Sequence, residues 1–257
     1  MFIAAPEHMR YELLSSTFFS VFTPEEETIL AGEIAQGAWN GKTVRLERLL
    51  KEADTLTLGL APSRYFDLLS TNLLVSRDVS GWTPAMQALA ARLKQKAAAL
   101  SLAEDPLQIL SCPFLANDLA VSVLVHDRKG RCLLAERSGA VAIAPRTFSV
   151  SVTGALDERD LEAEDPIRSC AARECAEELG AAIPEDAFHL LGIFIGERKL
   201  QPIALIEAVL PSFEGISQNF ETRRFLMVPK EELDSFCGLP MSEAARFQLN
   251  LFQKREA

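Results

Sequence analysis

Three glutamates, Glu174, Glu177 and Glu178, stand close together in the stretch R-E-C-A-E-E-L-G of residues 173–180. If the stretch is helical, each residue turns about 100°, so with Glu174 at zero Glu177 falls near about 300° and Glu178 near about 40°. All three carboxylates then share one face. That arrangement is costly to the helix. Glu174 and Glu178 form a like-charge i,i+4 pair, worth a few tenths of a kcal/mol. The carboxylates also sit in the last turns before Gly180, where the helix dipole disfavours anions by about 0.3–1 kcal/mol each. A sequence that breaks local rules on one face marks a functional site. Clustered carboxylate oxygens suit a hard divalent cation such as magnesium, which also takes water and phosphate oxygens. Such an ion polarises a phosphoryl oxygen and acidifies a bound water.

The competing reading is a solvated acidic face, common in an acidic chain. Arg173 and Gly180 weigh against it. They complete R-E-x-x-E-E-x-G, which average residue usage produces in about one chain per few thousand. The string resembles the core of the Nudix box, G-x5-E-x7-R-E-U-x-E-E-x-G-U, where U is apolar. Cys175 and Ala181 stand at the U positions, and Gly154 at the opening glycine. The resemblance implies Glu178 and Glu177 as main metal ligands, Glu174 as a further ligand, and Arg173 as the charge that orients them. It implies magnesium as cofactor, with manganese a possible replacement. Gly154 precedes Arg173 by 19 positions where the pattern has 14, so the intervening loop is five residues longer. At the place of the box glutamate stands Asp165, which also reads as a helix N-cap before Pro166.

Catalytic bases of the family often lie on a loop before a late strand. Glu221, in Q-N-F-E-T-R-R-F-L-M-V-P, is in such a place, with Glu197, Glu231 and Glu232 as weaker alternatives. The catalytic set is therefore expected to be Arg173, Glu174 and Glu221. Arg137 and Arg146 flank A-E-R-S-G-A-V-A-I-A-P-R-T-F, and a guanidinium suits a pair of diphosphate oxygens. The phrase R-S-x-x-V-A-x-A-P from Arg137 is similar to the UDP-glucose diphosphatase branch of the superfamily. So is the pattern of Asn40, Gly41, Arg45 and Leu46, then T-L-T-L-G-L, Tyr65, Thr71 and Asn72. That resemblance adds Tyr65 and Asn72 to the two arginines as expected substrate-binding residues.

The elements that must position these residues are readable in outline. Residues 42–60 suggest two strands and 63–73 a short helix running into a loop. Thr83 and Pro84 open a strong helix. D-R-K-G-R turns a hairpin between 118–126 and C-L-L-A-E-R, and T-F-S-V-S-V-T-G alternates as a third strand. A helix runs from Pro166 to a stop at Gly180. Strands follow near 190–196, 202–209 and 223–228, and a last amphipathic helix covers 241–254. The fold class is α/β: a Nudix-type α/β/α sandwich with a mixed sheet, preceded by a smaller α+β domain. With 257 residues, two domains are expected; the proline-containing crossing near 110 divides them into 1–110 and 111–257.

Bulk properties set the limits. Net charge is −10, which disfavours nucleic acid and anionic membranes as partners and leaves a phosphorylated substrate dependent on local cations. Five cysteines without a C-x-x-C spacing read as free thiols. The charged, proline-containing start differs from a signal peptide, and no run of about 18 apolar residues occurs; the cytoplasm is the default location. His8, His126 and His189 share no ligand spacing. The expected partner is a nucleoside-diphosphate-linked small molecule, with a homodimer left open. The resemblance implies hydrolysis of UDP-glucose to UMP and glucose 1-phosphate. The alternatives are ADP-ribose, NADH or a nucleoside triphosphate as substrate, or a regulatory module with little turnover.

Overall fold

Alternation of leucine with polar residues builds the first sheet. In the computed structural model, which describes residues 1–16, 20, 22–34, 40–99, 106–139 and 146–255, Leu56, Leu58 and Leu60 of the T-L-T-L-G-L run are all buried. The chain divides into two compact units, Met1–Leu119 with Ile195–Pro202, and Ala120–Phe194 with Ile203–Ala257. Among the described residues no helix is long and apolar enough to cross a membrane.

The first unit contains strands β1 (Phe2–Ala4), β2 (His8–Leu13), β3 (Lys42–Glu52) and β4 (Thr55–Arg64), and helices α1 (Pro24–Ile34), α2 (Tyr65–Ser70), α3 (Asn72–Ser76) and α4 (Pro84–Ala98). Strand β4 is the centre of a three-stranded sheet, antiparallel to β3 and parallel to β2. Leu30, Leu69, Leu74, Met86, Leu89 and Leu93 make the helical core of this unit. Thr83 caps α4 by accepting the Met86 N–H, and Pro84 occupies the first turn. The helix expected over 63–73 is two helices, broken at Thr71, whose φ of −123° and ψ of −92° leave the helical region. The elements before residue 42 were not anticipated from sequence. Strand β2 gains its regularity from the β4 ladder rather than from its own short pattern.

The second unit contains β5 (Ala120–Asp127), β6 (Cys132–Arg137), β7 (Phe148–Ser149), β8 (Val152–Ala155), α5 (Pro166–Leu179), β9 (Phe188–Ile195), β10 (Pro202–Leu210), β11 (Thr222–Val228), α6 (Leu233–Cys237) and α7 (Glu243–Lys254). The strand order is β9-β10-β5-β6-β11, with β7 on β6 and β8 on β5. The β5–β10 pair is parallel, while β11 on β6, β8 on β5 and β7 on β6 are antiparallel, so the sheet is mixed. Ser122 and Leu124 of β5 point toward α7: Ser122 donates to Gln248, and Leu124 shares a buried cluster with Leu249 and Phe252. Helix α5 packs over β5 and β8, which completes the α/β/α sandwich. Gly130 takes φ 76° in the turn after β5, where a left-handed residue is needed.

The alternating T-F-S-V-S-V-T-G segment is two strands rather than the expected one. Ser151 lies between them and is fully buried. Its hydroxyl donates to the Leu133 carbonyl at 2.6 Å and accepts the Val125 N–H at 2.8 Å. A side chain thus satisfies main-chain groups of both β5 and β6, and the segment passes from one strand to the other. All five cysteines are free.

Candidate active site

Helix α5 is fixed at both ends by local chemistry. Asp165 accepts the Arg168 N–H at 3.1 Å, Pro166 opens the first turn, and Gly180 ends the helix with φ 64°. Ile167, Cys170, Ala171, Cys175 and Leu179 anchor its apolar face. The four motif residues are then held differently. Glu178 is buried at 6% exposure, Glu174 and Arg173 are largely covered, and the Glu177 side chain is 55% exposed.

Arg173 is held by an acid that was not singled out in the sequence. Its Nε and Nη2 donate to the two oxygens of Asp160 at 3.1 and 2.8 Å, its Nη2 to the Ala155 carbonyl at 3.1 Å, and its Nη1 to Glu174 at 2.7 Å. Asp160 is 2% exposed and comes from a 3-10 turn, Glu158–Glu162. The signal was present: counting forward from Gly154, six positions lead to Asp160, the G-x5-acid spacing. The five surplus residues lie between that acid and Arg173. Asp165 caps the helix and pairs with Arg168 on its outer side, at 3.4 Å.

Gly154 of β8 lies under the carboxylate face of α5. A Cβ there would sit 1.9 Å from Cδ of Glu174 and 2.1 Å from one carboxylate oxygen. The glycine therefore makes room for a carboxylate rather than for an unusual backbone. Burial, with Glu177 and Asp160 repulsion, pushes the Glu174 carboxyl up to about 7 against the pull of Arg173. Burial, with repulsion from Glu174 and Glu221, pushes Glu178 up to about 8; Arg137 and the Thr153 N–H oppose it.

Glu221 reaches this cluster from the segment before β11. Its backbone carbonyl accepts the Ser138 N–H at 2.7 Å, and its carboxylate lies 3.7 Å from Arg137. The preceding loop is tied to the end of α5: Ser217 N–H donates to the Leu179 carbonyl at 3.0 Å, and the Asn219 amide to the Glu177 carbonyl at 3.5 Å. Glu197, Glu231 and Glu232 are exposed elsewhere, and none is among the groups that shift Glu174 or Glu178. Arg146 is exposed, with φ 57°, and its side chain lies over Gly139. Residues 140–145, the middle of the phrase R-S-x-x-V-A-x-A-P, lie outside the described residues.

The family model for the NUDIX domain matches residues 116–255, more than half of the chain. The chain belongs to the Nudix family. The Nudix domain is similar to solved structures at low identity. A Deinococcus radiodurans protein is 18% identical, covering 54% of this chain and 83% of that one, with a TM-score of 0.43. The MutT protein of Methanosarcina mazei is 15% identical, over 53% of this chain and 93% of that one, TM-score 0.41. The Nudix domain of Shewanella oneidensis NrtR, solved with ADP ribose, is 17% identical, over 53% and 86%, TM-score 0.41. Comparison with curated proteins gave no match.

The acids of this Nudix helix fit a hard cation, two of them buried and the third exposed at their edge. Among the described residues no three His, Cys, Asp or Glu side chains already converge as a metal cage. Glu177 turns outward and lies 3.7 Å from Arg173. Glu174 and Glu178 remain, buried together and repelling each other. Magnesium is usually held by one or two carboxylates with water and phosphate oxygens in the other positions, so this pair suits it, and a divalent charge relieves their repulsion.

In the first unit, the residues resembling the UDP-glucose diphosphatase pattern have internal roles. Asn40 Oδ1 accepts the Phe66 N–H at 2.9 Å and the Gly41 carbonyl the Tyr65 N–H at 3.1 Å, which closes the start of α2. Tyr65 is half-buried against the helical core. Arg45 is buried beside Asp118 and Glu47. Asn72, expected to bind substrate, is 0% exposed. Its amide donates to Asn117 Oδ1 at 3.0 Å and the Leu200 carbonyl at 3.1 Å, and its oxygen accepts the Asn117 N–H at 2.8 Å. Both ends of the amide are thus engaged in the interior, where the sequence expectation had placed a substrate contact.

Proposed function

We propose that the Nudix domain is a magnesium-dependent hydrolase, with manganese able to replace magnesium, that cleaves the diphosphate of a nucleoside-diphosphate-linked substrate. The observation that carries this reading is the buried Glu174–Glu178 pair over Gly154, with Arg173 shared between Asp160 and Glu174 so that one cation faces three acids. Glu174 and Glu178 would hold the cation, with the outward Glu177 available as a third oxygen donor. When bound, the ion supplies charge that stabilises the phosphoryl oxygens and lowers the pKa of water.

The remaining steps belong to the chain's own groups. Arg173, locked by Asp160, keeps Glu174 pointed across β8. Glu221 takes the proton of the attacking water, which adds to one phosphorus as the bridging oxygen leaves with the other. Arg146 presents an exposed guanidinium for the diphosphate oxygens; it precedes Thr147, whose carbonyl accepts the Arg137 N–H at 2.9 Å.

The substrate we propose is a UDP-sugar, UDP-glucose plus water giving UMP and glucose 1-phosphate. The N-terminal sequence pattern supports that choice. The test is release of UMP by the purified protein with magnesium, compared by kcat/KM across UDP-glucose, ADP-ribose, NADH and nucleoside triphosphates. Glu178→Gln should lose at least about 10²-fold in kcat. Undiminished turnover in Glu178→Gln, or in EDTA, would overturn the reading; turnover confined to ADP-ribose would overturn the substrate.

A further inference from the structure

We propose that Arg137 is a positioning residue: held by Thr153, its guanidinium keeps the Glu221 carboxylate turned toward Glu178. This assigns Arg137 a different task from the diphosphate contact that its sequence position suggests, and it rests on the hydrolase reading above.

Glu221 has a fixed backbone and a side chain that needs holding. Its carbonyl accepts the Ser138 N–H at 2.7 Å and its own N–H donates to Asn219 Oδ1 at 2.9 Å. Its carboxylate is partly exposed and lies close enough to Glu178 to act on it, so water is the partner it would otherwise turn to. Arg137 supplies the opposing charge, with Nη2 at 3.7 Å from Glu221 Oε2.

Arg137 can do this because it is itself immobilised. Its side chain is 13% exposed, and Nη1 donates to Thr153 Oγ1 at 3.0 Å. On the main chain it is paired across β6 with Thr222 of β11 and donates to the Thr147 carbonyl at 2.9 Å. Thr153 in turn neighbours Gly154, the residue beneath Glu174. One short strand, β8, therefore sets the place of Glu174 through Gly154 and of Glu221 through Thr153 and Arg137. A guanidinium with one arm on a hydroxyl and another facing a carboxylate, and little of it in water, is built to orient a protein group more than to receive a ligand.

The test is a double-mutant cycle measured on UDP-glucose, or on whichever diphosphate the substrate panel selects. Arg137→Leu should lower kcat about 10²-fold, the scale of a misplaced catalytic group, with KM changed less than about threefold. Thr153→Val, nearly the same shape, should move kcat the same way by about tenfold or less. Arg137→Lys should restore only part of the loss, because an ammonium keeps the charge without the fork. In a Glu221→Gln background Arg137→Leu should add less than about twofold, since the group it positions is already gone. A raised KM with kcat preserved, or an equal further loss in the Glu221→Gln background, overturns the proposal. Should Arg137→Leu not fold, Thr153→Val carries the same cycle. A crystal structure of Arg137→Leu gives a readout without turnover: Glu221 swung to solvent is expected, and Glu221 unmoved overturns the proposal. Wild-type protein inactive on every diphosphate would overturn the hydrolase reading and leave that crystallographic test in force.

Discussion

Replacing Gly154 by alanine adds one methyl group to β8 at a place where the backbone has no objection to it. Gly154 pairs with Val121 in a regular antiparallel ladder and is absent from the left-handed glycines. Alanine in a strand is ordinarily more stable than glycine by roughly 0.5–1 kcal/mol. The new Cβ would lie 1.9 Å from Cδ of Glu174. Carbon atoms need about 3.5 Å, so the carboxylate must retreat by about 1.6 Å, the difference of the two. The Glu174 side chain can do that by turning its far end, at the cost of its contacts there. Its bond to Arg173 Nη1, 2.7 Å in the wild type, is then lost. A shift of about 1 Å in a reacting group can cost about 10²-fold in rate, or about 2.7 kcal/mol. The expected result for Gly154→Ala is a melting temperature lowered by no more than the lost Arg173–Glu174 bond, about 1–2 kcal/mol net, weaker manganese binding by electron paramagnetic resonance, and kcat/KM down about 10²-fold. In a Glu174→Ala background the same change should cost nothing further. Wild-type activity with wild-type metal affinity in Gly154→Ala would refute the reasoning, and so would a fall in stability without a fall in metal affinity.

Asp160 and Asp165 separate the two readings of the box acid. Asp160→Asn breaks a buried bidentate pair and should cost about 3–5 kcal/mol in chemical denaturation, with activity falling alongside; Asp165→Ala should cost only the cap, about 1 kcal/mol, with kcat/KM unchanged. Without metal, stability should fall as pH rises from about 4 to 8. Glu174, Glu178 and the fully buried Asp118 titrate in the folded state near about 7, 8 and 7, above ordinary carboxyls. The folded protein thus holds protons that the unfolded chain has released, and that stabilisation is present at low pH and lost through pH 7–8. The groups facing this cluster are Arg173, Glu177, Asp160, Glu221 and Arg137, and melting curves in EDTA read the slope; Glu178→Gln and Asp118→Asn should each flatten it, and a melting temperature that rises over that range contradicts the assignment. Asn72→Ala should leave the Asn117 N–H and the Leu200 carbonyl without their partner and cost about 2–3 kcal/mol in unfolding; a raised KM with unchanged stability would instead make Asn72 a ligand contact.

By itself the sequence determined the helix that carries the three glutamates. Asp165, Pro166 and Gly180 mark its ends, and the spacing of Glu174, Glu177 and Glu178 collects them on one face, because caps and helical periodicity are local properties of the chain. The strands of the sandwich were legible for the same reason, through alternation and the Gly130 turn. Tertiary structure decided what each charged group does. Asp160 rather than Asp165 takes Arg173, since a loop of any length can bring an acid to an arginine and only the folded path says which one arrives. Glu177 turns outward while Glu178 is buried, a distinction made by what packs over the helix. Arg137 meets Thr153 and Glu221 because β6, β8 and the segment before β11 converge, and Asn72 disappears into an interior amide network shared with residues 117 and 200. Local pattern places residues on an element, but partners distant in sequence are chosen by packing, where burial makes each unpaired polar group costly enough to fix the answer.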